Sequence, residues 1–124
     1  MIRSLAPAVG LFALTTLWTA QATAHPLTLA ECAEGGEFIR NAALARDAGI
    51  TREFFVGKLE EDLLVIRSFP PELRWFVQDA AEEKFLSEAV HAVFDQPLKP
   101  AQHESRFISD CIQTTTAFVE ETEL

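Results

Sequence analysis

Glu88 and His91 form an E-x-x-H pair, a spacing that sets a carboxylate and an imidazole on one helix face, as in the di-iron carboxylate bundles. Those bundles need a second such pair and two further glutamates, and the chain has no second E-x-x-H. The bland account of Glu88 and His91, a partly solvated helix surface, is therefore preferred. His103-Glu104 begins like a zincin helix but lacks the second histidine one turn on. His25 offers a third route: as a mature N-terminus, its amine and imidazole together would chelate copper(II), with His91 or His103 as a further ligand. Without that second imidazole, His25-Pro26 is a cleavage junction on a loose end. Ser68, Ser87, Ser105 and Ser109 lack the flanking glycines of a nucleophile elbow. Carboxylate pairs such as Glu60 with Asp62, or Glu82 with Glu83, read as solvated faces in so acidic a chain. The expectation is a protein that is not an enzyme and carries no cofactor and no metal.

The two cysteines are better placed. Cys32 and Cys111 stand near the two ends, with no C-x-x-C and no histidine at zinc-finger spacing from either. A structural disulfide is expected, closing a loop of about 79 residues worth roughly 4 to 5 kcal/mol as an upper figure in the chain-entropy model.

That pairing needs an oxidising compartment, and the N-terminus supplies the route. Arg3 gives a positive start, Leu5 to Trp18 an apolar stretch, and Ala22-Thr23-Ala24 the small residues a signal peptidase requires. Cleavage after Ala24 is expected, leaving 25–124 as one domain in the periplasm or outside the cell. An uncleaved anchor is disfavoured because Thr15, Thr16, Thr19, Gln21 and Thr23 erode the apolar run. A lipidated Cys32 is disfavoured because Glu31 precedes it. The formal net charge of −9 loses one positive charge with Arg3 and becomes −10. Such a surface repels phosphate backbones and anionic lipid, so nucleic acid and stable membrane association are not expected, while a basic protein is the favoured partner.

The elements that must position these residues are all helical by periodicity. Thr28 with Glu31 makes a capping box for a first helix that carries Leu29, Cys32, Ile39 and Ala43 inward and stops at Gly49, with Ile50 as the hydrophobic contact beyond it. Gly35-Gly36 inside this helix marks either a weak point or the close approach of another helix. Thr51 caps a second helix with Phe55, Leu59, Leu63 and Ile66 as its apolar stripe, and Pro70-Pro71 ends it. Pro71 opens a short segment through Trp75 and Phe76. Asp79 and Glu82 then box a helix running to Phe94, with Phe85 or Leu86, Ala89, Val90 and Val93 as its core face. Pro100 opens the last helix, where Phe107, Cys111 and Thr114 share a face and Thr114-Thr115-Thr116 onward is expected to fray. The fold expected is all-α: a small antiparallel bundle of about four helices plus a short connector helix.

Recognition is best sought in Ser68 to Phe76, which holds two prolines, Arg74 and the residue types enriched at interface hot spots: Phe69, Trp75 and Phe76. The rival account makes Trp75 and Phe76 a plug at one end of the bundle. A smaller clue is Asp47, which stands against the helix dipole at a C-terminus and so needs a loop hydrogen bond or a basic partner.

The run from Cys32 through Ala42-Ala43-Leu44-Ala45-Arg46-Asp47-Ala48-Gly49, then Val93-Phe94-Asp95-Gln96-Pro97 and the late Cys111, resembles small exported helical proteins of proteobacteria that have no assigned activity. The resemblance implies a periplasmic setting and a cysteine-linked helical fold, and transfers no functional residue. Three functional classes follow as expectations: an interaction protein of immunity or inhibitor type for a basic partner, an acid-stress chaperone, or a metal-binding or catalytic bundle.

Overall fold

The computed structural model describes residues 27–74 and 77–122, with side chains described as far as Thr114. The expectations placed on the signal segment, His25, Trp75 and Phe76 lie outside the described residues. Four α-helices and one short 3-10 turn occur among the described residues, as the periodicity requires: α1 Leu29–Asp47, α2 Arg52–Ile66, the turn Pro71–Leu73, α3 Ala80–Asp95 and α4 Pro100–Thr122.

Local chemistry fixes the helix ends. The Thr28 hydroxyl accepts from the Glu31 amide at 3.1 Å, and the Glu31 carboxylate accepts from the Thr28 amide at 3.1 Å, completing the capping box. At the other end Gly49 takes φ 98°, with its amide donating to Arg46 O and the Ile50 amide to Ala45 O, the Schellman pattern that only a residue tolerant of positive φ completes without strain. Thr51 caps α2 by accepting from the Phe54 amide at 3.2 Å. The box expected at α3 forms by half. Asp79 accepts from the Glu82 amide, but Glu82 reaches one residue further upstream, to the Gln78 amide at 2.9 Å.

Each helix runs antiparallel to the next. Cys32 opposite Cys111, Gly36 opposite Ile108 and Arg40 opposite Glu104 set α1 against α4. Arg52 pairs with Asp95 and Arg67 with Glu83, setting α2 against α3. α1 packs chiefly on α4 and secondarily on α3, and α2 packs on α3. The core is built from Cys32, Ile39, Ala42 and Ala43 of α1, Leu59 and Leu63 of α2, Leu86, Val90 and Val93 of α3, and Phe107 and Cys111 of α4. Fully burying a side chain such as Ile39 or Leu86 contributes about 1.5–3 kcal/mol. Phe55 ties α2 in, its ring 6.0 Å from Phe38 and 5.8 Å from Phe94.

Two expectations are corrected. Leu29 is 68% exposed, and Leu27 is buried instead. At about 100° per residue, Leu29 lies roughly 75° from the centre of the buried α1 face, at its edge. Thr114 is exposed, its hydroxyl donating to Asp110 O at 2.9 Å. α4 is helical as far as Thr122, and the side chains beyond Thr114 lie outside the described residues, so the expectation of fraying falls there. Gly35 and Gly36 are buried, and a Cβ on Gly36 would stand 2.6 Å from Ile108 Cγ1, so close approach accounts for this glycine.

Candidate functional site

The cysteines meet as expected: Cys32 and Cys111 form a disulfide with Cα atoms 5.7 Å apart, joining the first turn of α1 to the middle of α4.

Arg46 is the busiest side chain among the described residues. It leaves the last turn of α1, and one terminal nitrogen donates to Val93 O at 2.7 Å and Gln96 O at 3.0 Å, while the other donates to Leu98 O at 2.8 Å. These carbonyls belong to the end of α3 and the loop leading to α4, where a helix leaves acceptors unsatisfied and a cation is favoured. Nε donates to Asp47 Oδ1 at 3.0 Å, so the partner that Asp47 needed is its own neighbour. The guanidinium thus joins the two stretches, Ala42–Gly49 and Val93–Pro97, that stand out in the sequence.

His103 is buried beside this node at 3% exposure. Its Nε2 lies 3.0 Å from Gln96 O and 3.4 Å from the Arg46 guanidinium. Gln96 O, which can only accept, is the nearer of the two, and Nε2–H donates to it. His103 is therefore a hydrogen-bonded core histidine. His91 is half-buried on α3, and Glu88 is exposed with Lys84 Nζ 3.8 Å away. No three histidine, cysteine or acidic side chains converge as a metal site among the described residues.

The connector is ordered by its own side chains. Arg74 Nε donates to Phe69 O at 2.7 Å, and Gln78 Nε2 donates to Pro71 O at 2.9 Å. Arg74 is half-buried in this loop, whereas Phe69 is 39% and Leu73 67% exposed. Leu64 and Val65, one turn upstream on α2, are also exposed. Together the four make an apolar row running off the end of α2, with Glu60, Glu61 and Glu72 exposed along the same stretch. The outward turn of Leu64 and Val65 was legible in the sequence, because neither belongs to the stripe made by Phe55, Leu59, Leu63 and Ile66.

Near the row, Arg67 donates to both oxygens of Glu83 at 2.7 and 3.0 Å. Those hydrogen bonds first, and the carboxylate's charge second, raise the Arg67 pKa above its ordinary value. No described helix is long and apolar enough to cross a membrane. The site and fold define a small all-α bundle closed by one disulfide. In comparisons with known proteins, no family model, no curated protein and no solved structure matches the chain.

Proposed function

We infer that this chain is an exported interaction protein, freed from its signal segment after Ala24 and working in the periplasm or outside the cell, where it occupies a basic protein in the manner of an immunity protein or inhibitor. The carrying observation is the exposed row Leu64, Val65, Phe69 and Leu73 beside Glu60, Glu61 and Glu72. Apolar area at the centre of a contact supplies affinity, and acidic groups at its rim steer a cationic partner and fix its orientation. Trp75 and Phe76, after Arg74 in the sequence, are proposed to take part in the same recognition. The disulfide agrees with an oxidising compartment.

The test is capture from a periplasmic extract at low and high salt, with wild type and the Phe69→Ser/Leu73→Ser double variant. A basic protein retained at low salt, released at high salt and lost with the variant supports this reading. Absence of a salt-sensitive basic partner sinks it. Trp75→Ala separates binding from plugging: lost capture with the melting transition unchanged marks a contact residue, and a collapsed fold marks a plug.

A second reading, an acid-stress chaperone, is favoured by how α2 is held. Its two ends are pinned to α3 by Arg52 with Asp95 and Arg67 with Glu83. In this reading acid loosens α2 at those pairs and uncovers Leu59 and Leu63. Dye-binding apolar surface at roughly pH 3, with helix content retained, is the expected signature; an unchanged native spectrum there excludes it.

A further inference from the structure

α3 and α4 are sequential neighbours, yet they are splayed apart, each leaning on α1. The space between them is a cleft of about 180 Å³, floored by Ile39 and walled by Phe85 and Ala89 of α3 and Phe107 of α4. Phe85 and Phe107 stand 5.0 Å apart, ring to ring, at a tilt. The volume suits a single small ring, and the lining is mostly apolar with a few polar groups at its edge, the usual constitution of a ligand site.

His103 lines one end of this cleft. With Nε2 engaged on Gln96 O, the ring's remaining polar atom is Nδ1, an acceptor that makes no hydrogen bond to any described residue. A buried acceptor left unmatched is costly, and a ligand donor that reaches it removes the cost. Arg106 stands at the same cleft, bonded to Gln96 Oε1 through one terminal nitrogen and retaining further N–H groups. An acceptor and a donor on one helix, three residues apart, suit a hydroxyl, which donates and accepts at once. Glu88 and Asp110 complete the lining and repel an anion.

We propose that the cleft between α3 and α4 is a binding site for a small uncharged phenol, whose hydroxyl donates to His103 Nδ1 and accepts from Arg106 while its ring packs on Phe85, Ala89 and Phe107. This site is separate from the row at the end of α2 and stands whether or not that row binds a protein.

The probe is p-cresol, titrated into the oxidised full protein and followed by NMR, with toluene and benzoate in parallel. Saturable shifts at Phe85, Ala89 and Phe107 are expected with p-cresol. Toluene should bind roughly tenfold to a hundredfold more weakly, about the worth of the two hydrogen bonds it cannot make, and benzoate more weakly than p-cresol. Ala89→Leu fills the cleft without touching the His103 contacts, and should abolish the shifts while leaving the melting transition in place. His103→Gln should weaken p-cresol severalfold, toward but not to the level of toluene, and leave toluene unchanged. No saturable shift with p-cresol, equal binding of p-cresol and toluene, or undiminished binding in Ala89→Leu overturns the proposal.

Discussion

Arg46 donates a 2.7 Å hydrogen bond to the carbonyl of Val93, a residue 47 positions further along the chain. Through it the end of α1 serves as the C-terminal cap of α3, a task the α3 sequence, closing on Phe94-Asp95, does not perform with a basic residue of its own. The same guanidinium holds Gln96 and Leu98 by their carbonyls, so the loop into α4 takes its shape from a helix it does not adjoin in sequence.

Arg46→Ala should therefore lower stability by about 3 kcal/mol, the scale of losing charge-assisted bonds to three carbonyls, two of them part-buried. Arg46→Lys should recover less than half, because an ammonium lacks the planar fork that reaches Val93, Gln96 and Leu98 together. Urea unfolding of the three proteins checks both figures.

The glycines of α1 and α2 should respond with opposite signs. A Cβ at Gly36 meets Ile108 at 2.6 and 2.8 Å, whereas one at Gly57 meets nothing within 4 Å. Gly57→Ala should stabilise by about 0.5–1 kcal/mol through helix propensity alone. Gly36→Ala gains the same propensity but forces Ile108 and α4 outward, and overpacking of about 1–3 kcal/mol leaves it net destabilised. Thermal melts of the two variants give the comparison directly, and Gly36→Ala/Ile108→Ala should regain part of the loss.

Reducing the Cys32–Cys111 bridge should remove up to about 4 to 5 kcal/mol, as expected for a cross-link across 79 residues. Cys32→Ser/Cys111→Ser should melt earlier in denaturant, yet at low temperature keep the partner binding of the α2 row, which the bridge does not touch. Loss of binding under conditions where the variant remains helical would contradict that separation.

Alkali should leave the hold on α2 in place. The Arg67 pKa is raised by Glu83, so its share of the stability is present at every pH below the guanidinium's ordinary range and is lost only as pH rises through the raised value. Moderate alkali therefore leaves the pair intact, and hydrogen exchange, corrected for intrinsic rates, should show α2 amides as well protected at roughly pH 9 as at neutral pH. Arg52→Gln/Arg67→Gln should show α2 amides exchanging before those of α1 and α4 already at neutral pH.

The helices and their caps were readable from Thr28, Glu31, Gly49, Thr51, Asp79 and Pro100, because capping and glycine chemistry act over three or four residues. The disulfide was readable because two cysteines have only one pairing available. The Arg46 node was only half visible. The oddity of Asp47 was local, but the carbonyls of Val93, Gln96 and Leu98 carry no side-chain signal and are brought close by tertiary packing alone. His103 shows the same limit from the other side. As a residue type it suggested a ligand for metal, and only the fold reveals that Gln96 O already holds its Nε2. The cleft beside it depends on α3 and α4 diverging after a four-residue loop, which helix periodicity does not encode.

The bridge also decides how the molecule bears load. Tension applied upstream of Cys32 and downstream of Cys111 passes through the sulfur link from α1 to α4, and the chain between them, across a sequence separation of 79, carries none of it. Helices α2 and α3, with the row at Leu73, hang within a covalent ring as a slack region. Oxidised, that region stays folded under a pull that would strip the ends. Reduced, it would release a hidden length on the order of 250–280 Å, at roughly 3.3–3.6 Å per residue.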